Sequence, residues 1–232
     1  MTLRAHLTHG VALAVAMLGV VGASPMAGSL SGRLSLLERP GAARRDLATA
    51  IVYLEALDAR AADDRGTVSS EAIVAMRGRE FLPHTAVIRS GGSVAFPNQD
   101  PFSHNVFSNT EPVAFDLGLY RRGTSRTATF SEPGVYPIYC NIHAKMVSYV
   151  ISVPGRHVAF AKSDGQFDLP DVPVGLYRLH VWHERATHLT QDVIVSASGT
   201  YVELALDARG YVPGAHRNKF GMPYTSTRAD RY

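Results

Sequence analysis

One cysteine stands among 232 residues, and Cys140 therefore has no partner for a disulfide within the chain. Its thiol is left for other chemistry. Neither sign of charge prevails, with 23 Lys and Arg against 20 Asp and Glu, and the basic residues are dispersed apart from Arg44-Arg45 and Arg121-Arg122. That balance supplies no basic stripe for nucleic acid and no polybasic patch for an anionic membrane. Long apolar runs are missing too: residues 11–21 are apolar but too few to cross a bilayer. Acidic residues are absent from residues 1–10, which carry Arg4, and Val21-Gly22-Ala23 offers small residues for cleavage. Residues 1–23 therefore read as a signal peptide, which predicts an exported, periplasmic protein without a stable membrane anchor.

What the chain does have is an unusual use of that cysteine. His104 stands upstream of the run Cys140-Asn141-Ile142-His143-Ala144-Lys145-Met146. A thiolate, two imidazoles and a thioether are soft or borderline donors that suit copper. The run lies between two segments of alternating pattern, residues 135–140 and 147–153, so it reads as a tight loop joining two strands. Such a loop can place Cys140 and His143 in a copper plane and Met146 on its axis, provided His104 arrives from another strand end. A buried inert thiol or an intermolecular disulfide would also use a lone cysteine. Neither accounts for the three other donors. A nucleophilic Cys-His pair would need an orienting group and an oxyanion site, and no local signature supplies them.

The rest of the pattern is all-β. Strands are expected over residues 72–76, 86–89, 93–96, 105–108, 125–130, 135–140 and 147–153, separated by Gly, Pro, Asn and Asp signals. Alternation also runs through residues 28–38, 49–55, 158–161, 166–169, 176–182, 192–195 and 201–206, with a hairpin turn expected at Asp164-Gly165. Within residues 176–182, Tyr177, Leu179 and Val181 are expected to fill a core, with Trp182 at a junction between two sandwiches. His180, His183 and His188 read as surface groups. Residues 208–232 show no period.

Phe96-Pro97-Asn98, His104-Asn105-Val106-Phe107 and Cys140-x2-His143-x2-Met146 together resemble the cupredoxin family, of the plastocyanin and amicyanin kind. The resemblance implies a Greek-key sandwich holding one type 1 copper. His104, Cys140 and His143 would be equatorial ligands and Met146 the axial one. It further implies that Asn105 ties the two ligand-bearing segments together, and that His143 reaches the surface among Pro101, Phe102, Ile142 and Ala144. The stretch 115–120 and the Cys-Asn-Ile-His string are similar to exported bacterial proteins labelled methylamine utilisation proteins. Residues 168–179 resemble the carboxypeptidase regulatory-like, transthyretin-like sandwich.

The expected organisation is a signal peptide over 1–23, a cupredoxin domain over 69–154, a discontinuous second sandwich from 28–55 and 155–207, and a tail over 208–232. The alternative adds the amino-terminal strands to the cupredoxin sheet. The site favours a one-electron carrier that meets a redox partner protein and is not an enzyme. A copper-trafficking or copper-buffering protein, and a non-redox interaction module stapled by copper, are the other readings.

Overall fold

The computed structural model describes residues 26–40, 46–58, 68–212 and 216–224. The expected signal peptide, 1–23, lies outside the described residues, as does most of the segment joining residue 56 to residue 69. Along the chain run β1 (Ala27–Leu37), β2 (Ile51–Ala56), β3 (Glu71–Ile73), β4 (Ala75–Arg77), β5 (Glu80–Leu82), β6 (Thr85–Arg89), β7 (Gly92–Pro97), β8 (His104–Ser108) and β9 (Phe115–Tyr120). They are followed by β10 (Ser125–Phe130), β11 (Gly134–Tyr139), β12 (Val147–Val153), β13 (Val158–Phe160), β14 (Gln166–Pro173), β15 (Gly175–Trp182), β16 (Leu189–Val195) and β17 (Thr200–Asp207). The protein is all-β; among the described residues no helix is long and apolar enough to cross a membrane.

Two cores organise these strands. The first lies between the sheets β14-β1-β17 and β13-β2-β15-β16, where Leu30, Leu34, Val52, Leu54, Tyr177, Leu179 and Val181 are buried together. Both amino-terminal strands thus pair with strands from the carboxyl-terminal third: β1 lies antiparallel to β14 and parallel to β17, and β2 lies antiparallel to β15. The second core lies between β10-β7-β3 and β6-β12-β11-β8-β9 and holds Met76, Phe81, Phe96, Phe130, Tyr136, Ile138, Cys140 and Met146.

A strand buried on both faces reads as a continuous apolar run instead of an alternation, and β2 shows why. Val52 and Leu54 enter the first core, while Ile51 and Tyr53 join Ile151, Val153 and Trp182 in a third cluster between the two sandwiches. On β12, Val150 belongs to the second core and its neighbour Ile151 to the junction. Trp182 packs on Tyr149 there, with ring centroids 4.8 Å apart. Beside it the His84 imidazole and the Glu184 carboxylate are 2.7 Å apart.

Two local expectations change. The turn at Asp164-Gly165 is present, but β13 pairs with β2 and β14 with β1, so the turn carries the chain from one sheet to the other. Gly165 has φ +85°, and a Cβ there would meet the Leu34 carbonyl oxygen at 2.2 Å, which leaves glycine as the residue that fits. The 72–76 strand is divided at Val74, whose N–H bonds the Ala95 carbonyl while β4 turns away to pair with β5.

Candidate metal centre

Local structure on both sides of the site follows from its hydrogen bonds. After β7 the chain turns through residues 98–103, and Asn98, 1% exposed, knots that turn. Its Nδ2 donates to the Phe102 and Tyr120 carbonyls, and its Oδ1 accepts from the Asp100 N–H. Held in this way, His104 opens β8 fully buried, with its ring inclined at 63° to that of Phe102 and the centroids 5.2 Å apart. From the other side, Cys140 follows β11 directly. The loop from Cys140 closes on itself, since the Met146 N–H donates to the His143 carbonyl and the Cys140 N–H to the Met146 carbonyl.

These two arrivals bring three donors together. Cys140 Sγ lies 3.5 Å from His143 Nδ1 and 3.7 Å from His104 Nδ1, and the two imidazole centroids are 4.9 Å apart. Among the described residues, His104, Cys140 and His143 are the group of three or more His, Cys, Asp or Glu whose ligand atoms converge, all within 4.8 Å. Bonds of about 2.0 Å to nitrogen and about 2.3 Å to sulfur, meeting at a roughly tetrahedral angle, span such separations. One metal ion therefore fits between these atoms. Met146 is 2% exposed and packed in the same core at the end of the loop.

Electrostatics agree with a site built for a cation. Burial pushes the Cys140 thiol up, and the backbone N–H groups of Ile142, Asn105 and His143 oppose that rise by facing the sulfur. Burial also holds the His104 imidazole below its ordinary value, against the pull of Asp100. A metal ion that takes the thiolate and both neutral imidazoles offsets the cost of burying the sulfur in ionised form.

The surroundings refine the expectation for Asn105 and correct those for His183 and His180. Asn105 does not reach across to the cysteine loop through its side chain: Nδ2 donates to Asp116 Oδ1 at 2.6 Å, because the amide points along the β8–β9 pair. It is the backbone N–H of Asn105 that faces the sulfur. His183 is buried, at 2% exposure, because the chain turns inward just after Trp182 enters the junction. His180 is half-buried and lies flat on the Tyr53 ring at 4.5 Å with Glu55 beside it, while His188 is exposed.

The tail supplies what no sequence pattern announces. Residues 216–224 form a strap across the cysteine loop: Tyr224 Oη donates to the Cys140 carbonyl at 2.6 Å and the Lys219 N–H donates to Asn141 Oδ1 at 2.9 Å. The His216 ring stacks on Tyr139 at 4.3 Å, and Lys219 Nζ pairs with Asp116. On the solvent side His143 is half-buried beside Phe102, with ring centroids 5.8 Å apart; Pro101, which precedes Phe102, and Ile142, which precedes His143, are exposed.

No family model matches the chain. Among proteins of known identity, it is 34% identical to the chloroplastic plastocyanin of Tetradesmus obliquus over 107 residues, covering 41% of this chain and 70% of that one. It is 29% identical to the plastocyanin of Ulva arasakii over 73 residues, covering 28% and 74%. Among solved structures, amicyanin from Paracoccus versutus is 23% identical over 44% of this chain and 98% of its own, with a TM-score of 0.34. A purple cupredoxin from Nitrosopumilus maritimus is 23% identical over 35% and 99%, with a TM-score of 0.33. With a cysteine and two histidines converging between strands of a β-sandwich, and with that share of residues in common with a plastocyanin, the chain belongs to the cupredoxin family.

Proposed function

We propose that this chain is a periplasmic type 1 copper protein that carries single electrons between partner proteins and is not an enzyme. The observation that carries the reading is the buried thiol within 3.7 Å of two imidazole nitrogens, offered by two separate strand ends. Copper bound there would supply a one-electron couple between Cu(I) and Cu(II). Cys140, His104 and His143 hold it, with Met146 as a weak fourth donor. The packed core behind them resists the rearrangement that either oxidation state would prefer on its own. His143, half-buried beside Phe102, is the edge through which a redox partner approaches. A small apolar surface of that kind supports brief docking.

In this reading the cupredoxin domain spans 69–154, and the second sandwich, from 28–55 and 155–207, is of the carboxypeptidase regulatory-like type and serves as a scaffold. The chain as a whole is grouped with the exported methylamine utilisation-like proteins. Residues 1–23 are the export signal.

The test is the visible and electron paramagnetic resonance spectrum of the protein loaded with one equivalent of Cu(II). An intense thiolate-to-copper band with narrow hyperfine splitting, bleached reversibly by a mild reductant and absent in Cys140→Ser, is the expected result. A pale, ordinary Cu(II) spectrum removes the carrier reading.

A further inference from the structure

His104 has two ring nitrogens, and only Nδ1 faces the sulfur. Its other nitrogen, Nε2, lies 2.8 Å from Asp100 Oδ2, in a place where His104 is fully buried and Asp100 is 5% exposed. Asp100 is itself held through both carboxylate oxygens and through its backbone. Oδ1 accepts from the Gly78 N–H at 2.6 Å, Oδ2 accepts from the Arg79 N–H at 3.0 Å, and the Asp100 N–H donates to Asn98 Oδ1. Gly78 and Arg79 are the two central residues of the β4–β5 turn, with φ of +67° and +63°. A turn of that kind aims consecutive N–H groups into one concavity, which suits an anion.

A carboxylate surrounded by donors stays ionised and can only accept, so the hydrogen between it and the imidazole belongs to Nε2. That assignment leaves the Nδ1 lone pair free and pointed at the sulfur. We propose that Asp100 is a positioning residue for the metal centre: through Nε2 it fixes the His104 tautomer and ring orientation, and its negative charge makes Nδ1 a stronger donor, so that the site favours Cu(II) over Cu(I). The inference rests on the copper reading and goes beyond it, since the same three ligands without Asp100 would still bind metal. The Arg79 guanidinium, 5.2 Å from the Phe102 centroid, is on an exposed residue where solvent screens it. It does not cancel a charge in direct contact with the ring.

The experiment compares wild type with Asp100→Asn, which keeps the size and removes the charge. Partners that orient a metal-bound histidine typically account for about 10–100-fold in metal affinity. The expected result is a Cu(II) affinity lower by about 10-fold or more with Cu(I) affinity less affected, and a ratio of reduced to oxidised copper raised correspondingly against a redox mediator. An unchanged ratio and unchanged spectrum, with only the melting temperature lowered, overturn the proposal and leave Asp100 as a support for the turn. If the variant does not fold, nuclear magnetic resonance of the Cu(I)-loaded wild type decides: a downfield His104 Nε2–H slow to exchange with water supports the proposal, and a rapidly exchanging one overturns it. A wild type that shows no type 1 band at all fails the copper reading itself, and the proposal falls with it.

Discussion

Met146 closes the loop that starts at Cys140 and is buried in the same core as the sulfur. If it is the weak axial donor, removing the thioether takes more support from Cu(II) than from Cu(I). Met146→Leu, nearly equal in volume, should keep copper and raise the reduction potential, measured by voltammetry; a lower potential would remove Met146 from the ligand set. At this scale much is legible in the sequence, because Cys140, His143 and Met146 are close along the chain and the loop between two strands constrains them. Asp100 is not. An acid between Asn98-Gln99 and Pro101 reads as an ordinary turn residue, and its contact with His104 depends on N–H groups of Gly78 and Arg79 more than twenty positions away.

Among the elements, the 216–224 strap has the least visible origin. It contributes no strand, and its order comes from long-range contacts: Tyr224 on the Cys140 carbonyl, Lys219 on Asn141, His216 on Tyr139. A side-chain hydrogen bond contributes about 0.5–1.5 kcal/mol net. Tyr224→Phe should therefore ease opening of the ligand loop and speed the withdrawal of copper by a chelator about 2–10-fold, while an unchanged rate would show that the strap lies on the loop without holding it. Periodicity locates a strand such as β10 at its ends, since Ala128 and Phe130 face the core with exposed residues between and before them. It does not reveal β5, whose three residues are too few for a pattern, nor that the Asp164-Gly165 turn joins different sheets. A turn sequence specifies local direction, whereas the choice of neighbour is made by strands far away.

At the scale of the whole molecule, the two sandwiches meet through Ile51, Tyr53, Ile151, Val153 and Trp182 and through the His84–Glu184 pair. Hydrogen bonding to Glu184 raises His84 above 6.5, and the same bond lowers Glu184 below 4.5. The His84 contribution is full below about pH 6.5 and is lost as pH rises through its folded value. The Glu184 contribution is full above about pH 4.5 and is lost as pH falls through its own. The pair is therefore strongest between the two. With side chains 46% and 31% exposed, it is worth only about 0.2–1 kcal/mol. Glu184→Gln should lower stability by that amount near pH 5.5 and have almost no effect near pH 9, measured by urea denaturation; equal effects at both pH values would mean that the pair is not ionic. The parallel pairing of β1 with β17 sets a timetable for the chain as it is made. β1 emerges before the copper-binding segment, yet both of its neighbours, β14 and β17, emerge after it. The metal-binding sandwich can close while β1 and β2 still present unpaired edges, and the second sandwich is completed only after it.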